Sequence, residues 1–366
     1  MPGMFGGAAV VSLFGSHDYP SPRLLLCFLW PQYFPEKMNR SLILILALLT
    51  LAYVSPLVAQ EGEVRLDAAQ AKITTVSSMR ARRAPQITAD EIRRLKLGTV
   101  VNASARSPNQ ETIGGKTDYW YRVDLSNGET GWLFGGLLLD YNIRQRTELL
   151  RQIIEARLKA ENTDFADRKE IYELAAGAIS ETKDTSTRAE FELLKLLALA
   201  NWAASFPNHL SDKPPYREWL KTHDPQVIPN EFAGSYNLRT ELLWNLERKY
   251  HSLPIADRIA WEAAQNLPPS DCEGDEVCHL FLYEGEIKYL SLHPNGTHAT
   301  EAIKNLTAAL TDDVIRRANA KGGDRYAVED RTQLRRLFAS LRLAVAKTSA
   351  PEKTELLKRL ERVARR

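Results

Sequence analysis

The hydrophobic period of this chain changes once, at Asn142, and that change restricts it to two kinds of module. Residues 70–141 contain short runs rich in β-branched and aromatic residues: "KITTVSSMRAR", "GTVVNASAR", "YWYRVDL" and "ETGWLF". A period of two sends successive side chains to opposite faces, as in a half-buried strand. After Asn142 the period becomes helical, and Leu150, Ile153, Ile154 and Leu158 fall on one face among charged residues. The expected fold class is multidomain, β plus α: a small β-barrel at 70–141, then an all-α region that is solenoid-like or irregular.

Within the β-region, "LSNGET" joins the last two strands, and Asn127-Gly128 is a hairpin turn because both residues tolerate positive φ. Between the first two strands lies "PQITADEIRRLKLG". There Thr88 and Glu91 have the spacing of a capping box, which predicts a short amphipathic helix over Thr88–Leu97, ended by Gly98. The stretch Ser104–Asp118 reads as a long polar loop.

These elements resemble the bacterial SH3-like (SH3b) domain. The resemblance rests on Arg80 and Arg82 with Pro85, "LKLGTVV" (Leu95–Val101), "WYRV" (Trp120–Val123) and "GWLFGGLL" (Gly131–Leu138), in that order. It implies a small barrel that binds rather than catalyses, with a peptide, protein or peptidoglycan ligand. It also places Tyr119, Trp120, Tyr121, Trp132 and Phe134 as candidate ligand-binding rings. Alternation puts Tyr121 and Val123 on one face and Trp120 and Arg122 on the other, with Trp132 and Phe134 together and Leu133 opposite. Small barrels fill their interiors with side chains, so some of these rings are expected to be core. If all were buried, the barrel would be only a spacer.

Upstream, "KMNRSLILILALLTLAYVSPLVAQ" has a basic start at Lys37 and Arg40, an apolar run Leu42–Val54, and small Ala59 before Gln60. This is the form of a signal peptide at 38–59, cleaved after Ala59, which implies a periplasmic or secreted protein. The run is short against the ~20 residues of a membrane span. Membrane contact is expected only if this segment stays uncleaved as an anchor. Residues 1–37 fit no part of the scheme and read as a misassigned start, with Met38 the natural initiator, or as an irregular leader. Residues 60–69 form a linker. Export would pair Cys272 with Cys278 as a disulfide, closing a loop short enough to stabilise by about 2 kcal/mol. The competing arrangement is a metal site of Cys272, Cys278 and His279, but the spacing is not C-x-x-C.

The helical region divides at a Pro- and His-containing stretch, Asn208–Gly234, with a short helix near Tyr216–Lys221. This gives a helical subdomain at 142–222, a loop at 223–234 and helix pairs at 235–366. "EFELLKLLALANWAASF" is apolar nearly all round and so should be a buried helix. Further helices are expected over Val277–Leu292 and Thr297–Ala320, around Leu334–Val345 and around Leu356–Val363. "YLSLHPNGTHATEA" (Tyr289–Ala302) resembles the junction of tetratricopeptide-like repeats, although no clean recurrence near 34 residues accompanies it.

The net charge of +2 gives no basic field for nucleic acid. No H-E-x-x-H or G-x-S-x-G occurs, "SETK" (Ser180–Lys183) lacks its partner motifs, and "IGGKTD" lacks the context of a phosphate loop. The histidines His209, His223, His251, His279, His293 and His298 are scattered. His293 and His298 flank the Pro-Asn-Gly turn; a pair there could bind metal, but two histidines with no third ligand are more often surface residues. The sequence therefore reads as a non-enzymatic exported binding or scaffold protein, with no cofactor and no metal. In this reading the helical region provides protein–protein contacts. The alternative is a peptidoglycan hydrolase with an unrecognised centre in the helices, which would need a cleft holding a buried carboxyl of raised pKa.

Overall fold

The computed structural model describes residues 62–363 apart from 127, 162, 268–271, 273, 274 and 321–324. The expected signal segment, the first 37 residues and Asn127 lie outside the described residues. No helix among the described residues is long and apolar enough to cross a membrane. The protein is a β module followed by helices.

Nine strands form the first part: β1 (Val64–Thr74), β2 (Met79–Arg82), β3 (Glu91–Leu95), β4 (Val100–Arg106), β5 (Glu111–Ile113), β6 (Lys116–Asp118), β7 (Trp120–Asp124), β8 (Thr130–Phe134) and β9 (Leu138–Asp140). Seven make one antiparallel sheet in the order β3-β2-β8-β7-β4-β1-β9, and β5 and β6 form a separate hairpin. Met79, Ala81, Leu95, Val101, Ala103, Val123, Leu125 and Leu133 fill the interior. Each fully buried large aliphatic among them contributes roughly 1.5–3 kcal/mol.

Two local expectations are corrected. The segment Thr88–Leu97 is not a helix: Glu91–Leu95 is a strand, in register with β2 through Met79–Leu95, Arg80–Arg94 and Ala81–Arg93. Pairing along β2 supplies backbone partners and buries Leu95, which outweighs the local capping signal. Glu91, meant to cap, instead binds Arg94 across one turn of strand, at 2.8 Å. The polar stretch Ser104–Asp118 is likewise not a simple loop, since it contains the β5–β6 hairpin.

The helices begin with α1 (Arg146–Leu158), α2 (Phe165–Glu181) and α3 (Thr185–Ala204). Asp164 and Asp184 cap the second and third by accepting from the amides of Asp167 and Asp184's third neighbour, Thr187. Strand residue Ile73 and loop residue Leu97 enter a shared core with Leu150, Ile153, Ile154, Ile171, Phe191 and Leu194. Glu170 accepts the Leu97 amide at 2.7 Å in the same seam. The next residue, Gly98, has φ of +76°, and a Cβ there would lie 2.5 Å from Cδ1 of Leu174. Only glycine meets both conditions.

The stretch Asn208–Gly234 contributes α4 (Tyr216–His223) and β10 (Val227–Asn230), which pairs with β11 (Ser235–Leu238). Trp219, Val227 and Tyr236 join Trp202 and Phe206 of the α3 end in one core that runs on to Val363. That core continues through α5 (Thr240–Tyr250), α6 (Ile255–Gln265), α7 (Glu276–Phe281), α8 (Glu284–Leu292), α9 (Ala299–Ala309), α10 (Asp312–Asn319), α11 (Arg325–Lys347) and α12 (Lys353–Glu361). Two expected long helices are each broken. Val277–Leu292 divides into α7 and α8, and Thr297–Ala320 divides into α9 and α10, where the Thr311 hydroxyl accepts the Val314 amide as a new N-cap. Cys272 and Cys278 are bonded, with Cα atoms 5.4 Å apart, at the start of α7.

Among the helices, Glu286 is 3% exposed. Its Oε1 accepts from Asn305 at 2.9 Å and Gln265 at 3.2 Å, while Oε2 is buried without a partner. Burial pushes this carboxyl above the usual carboxylate range. A raised folded pKa means the native state holds the proton longer than the unfolded chain. The stability it contributes is full below the unfolded pKa and is lost as pH rises through the folded value.

Two outcomes follow. Gly98→Ala should lower unfolding free energy by about 1–3 kcal/mol, read from urea denaturation, because it combines a left-handed φ with a clash. Glu286→Gln should melt higher than wild type at pH 8, by about 2–4 °C for roughly 1 kcal/mol, and lose that advantage at pH 4. An advantage equal at both pH values would mean that the carboxyl is not linked to folding.

Candidate functional site

Trp120, Tyr121, Trp132 and Phe134 lie on β7 and β8 and Tyr119 immediately precedes β7, and strand geometry assigns the four strand rings different environments. The β7–β8 ladder pairs Trp120 with Phe134, Tyr121 with Leu133, and Arg122 with Trp132. Tyr121 therefore shares the interior side with Leu133 and Val123, and the other three rings lie on the opposite side. Trp120 and Phe134 are only 3% and 4% exposed. Their centroids are 5.7 Å apart, and the β5–β6 hairpin reaches them: the Trp120 indole donates to Glu111. These two rings are packing residues.

Tyr119 and Tyr121 are partly exposed but covered by cations. The Arg106 guanidinium lies 3.9 Å from the Tyr119 ring centroid, and the Lys72 ammonium lies 4.4 Å from that of Tyr121. Lys72 is itself held by Asp140 at 2.6 Å. The third partly exposed ring is Trp132. It is half-buried, and its cross-strand neighbours are Arg122 on β7 and Arg82 on β2.

Each arginine is fixed. Arg122 donates to both carboxylate oxygens of Glu63, at 2.9 and 2.7 Å. Arg82 donates to the carbonyl of Ala89 at 2.6 Å, which fastens the 83–90 loop beside the strand. That loop carries Ile87, 49% exposed. Trp132 thus has an arginine at the paired position of each neighbouring strand, one of them ion-paired with Glu63, and an exposed aliphatic on the adjoining loop. Such a face suits carboxylate-bearing ligands. Ile87 and Arg122 were not legible as site residues, though alternation already put Arg122 across from the interior.

A second constellation lies in the helices. Glu247 on α5 meets His251, four residues on, with Oε1 2.6 Å from Nδ1, and meets His293 after α8, with Oε1 3.1 Å from Nε2. His298, the other histidine of the Pro-Asn-Gly turn, goes elsewhere: it stacks on Trp261 with centroids 4.5 Å apart and pairs with Glu301 at 3.1 Å. Glu247 and His251 show i, i+4 spacing in the sequence, but the arrival of His293 depends on how α5 and α8 pack.

A groove of about 1050 Å³ runs between α5, α8 and α11. Its lining includes Trp244, Leu337 and Leu343, with Arg248, Lys288, Arg336 and Lys347 against Glu241 and Glu284. The Lys288 ammonium lies 4.1 Å from the centroid of Trp244. Burial lowers its pKa below the ordinary lysine value.

No curated protein and no solved structure matches the chain. Residues 77–138 match the family described as the bacterial SH3 domain. That span runs from just before β2 to the start of β9 and contains Arg82, Ile87, Arg122 and Trp132. The β module that presents this aromatic and basic face is a bacterial SH3 domain, joined through a shared apolar seam to a helical region.

Proposed function

We propose that this is an exported, non-enzymatic binding or scaffold protein whose SH3 domain takes a peptide or peptidoglycan component on the face around Trp132. The observation that carries the reading is the half-buried Trp132, paired across strands with Arg122 on one side and Arg82 on the other. A guanidinium forms charge-assisted pairs with carboxylates, and an indole offers a flat surface to sugar or peptide. Peptide chains of a cell wall combine these chemistries. Export rests on the leader 38–59 with cleavage after Ala59, and the Cys272–Cys278 bond accords with an oxidising compartment.

The helical region supplies a second surface. The groove beside Trp244 and the exposed Leu343 has four lining cations against two carboxylates, which fits an acidic amphipathic segment of a protein partner. A hydrolase would require a carboxyl of raised pKa in such a concavity. Burial raises the carboxyls of Glu190, Glu262 and Glu286, and none of these three lines the groove. That arrangement favours binding over hydrolysis.

Co-sedimentation of the purified protein with peptidoglycan is the test. Trp132→Ala should weaken binding about tenfold or more with its circular dichroism unchanged, in line with loss of an interfacial tryptophan. Trp120→Ala should instead lower the stability of the domain, by about 3–5 kcal/mol, since it empties a packed site. Wall binding by Trp132→Ala equal to wild type would remove this face from the proposal.

A further inference from the structure

The C-terminal ends of α5 and α8 bring together a carboxylate and two imidazoles, His293 coming from a distant part of the sequence. Glu247 is 4% exposed. The ligand atoms of Glu247, His251 and His293 all lie within 4.8 Å of one another. The two imidazole rings have centroids 5.7 Å apart and tilt by 49°. His293 is further fixed by the Tyr289 ring, 5.9 Å away and nearly parallel. The side chain of His251 is 59% exposed, so the group is built from the inside and opens toward solvent.

We infer that Glu247, His251 and His293 form a binding site for a divalent transition metal of the zinc class. Three features converge on a cation. Two imidazoles with one carboxylate are a donor set that suits zinc and its neighbours, with a fourth position left for water on the open side. His251 and His293 are the C-terminal caps of α5 and α8, so each imidazole sits at the negative end of a helix dipole. The buried Glu247 carboxylate has the two imidazoles as its partners, and a metal between them would satisfy its charge.

In the metal-free form the imidazoles hydrogen-bond to Oε1, so at least one carries a proton on the nitrogen facing it. Cys272 and Cys278 are bonded to each other and do not compete as thiolates. A bound ion would clasp the end of α5 to the end of α8. This inference is independent of the SH3 face, and its test uses no wall ligand.

The test is isothermal titration of the tag-free, chelator-treated protein with zinc chloride, followed by cobalt(II) absorption between about 500 and 650 nm, where low-coordinate sites absorb strongly. Wild type should take up one equivalent. His251→Ala, at an exposed position that leaves the fold intact, should weaken binding at least tenfold and abolish the cobalt bands. His293→Ala should do the same, with melting temperature in chelator reporting its fold. Zinc should raise the melting temperature of wild type but not of His251→Ala. Absence of uptake by wild type, or one equivalent retained by a His251→Ala, His293→Ala double variant, would overturn the site and leave these residues as an ion pair.

Discussion

The apolar seam between strand β1 and helices α1 to α3 is the contact on which the rest of the structure depends. Ile73 and Leu97 leave the sheet and enter the helical core, and Gly98 permits this because its backbone turns left-handed against Leu174. Glu170 closes the seam by accepting the Leu97 amide, so a backbone donor that would be stranded in an apolar contact is satisfied. One short turn thus serves the barrel as a connection and the helices as a wedge. The SH3 domain is consequently presented on a fixed base, its Trp132 face borne by β2, β7 and β8 while the seam involves β1 and the β3–β4 turn.

The distribution of aromatic residues follows from the same economy of surfaces. A small sheet with one interior and one covered outer patch needs large side chains on both sides. Trp120 and Phe134 fill the patch beneath the β5–β6 hairpin, while Val123 and Leu133 fill the interior. Tyr119 and Tyr121 are amphipathic, and each carries a cation over its ring. Trp132 is half-buried, with Arg122 and Arg82 at the paired positions of the neighbouring strands.

In the helical region, buried polar groups decide how helices meet. Asp257 on α6 accepts the Tyr289 hydroxyl at 2.7 Å and the Thr297 amide at 3.0 Å, joining α6, α8 and the turn before α9. A Cβ at Gly296 would strike both Asp257 and the Tyr289 hydroxyl, so the Pro-Asn-Gly turn can close only around this pair. Burial and the Asp257 carboxylate push the Tyr289 phenol up, keeping it a donor. The same packing brings His293 to Glu247. Hydrogen bonds of this kind fix the register of helices whose apolar faces alone would tolerate sliding.

The sequence by itself determined the change from β to α near Asn142, the SH3 elements between Arg80 and Leu138, and the helices whose apolar stripes are long, such as α1 and α3. Those signals are periodic and local, and periodicity survives without knowledge of neighbours. It also split the rings of β7 and β8 between two faces, because alternation is a property of any strand. Tertiary structure alone decided the rest. Glu91–Leu95 became a strand because β2 offered backbone partners, against a capping signal that points to a helix. Trp132, rather than Trp120, faces outward because the β5–β6 hairpin covers one ring and not the other. His293 reaches Glu247 and His251 because the tertiary fold brings the C-terminal ends of α5 and α8 together, and no spacing along the chain encodes a contact across 46 positions.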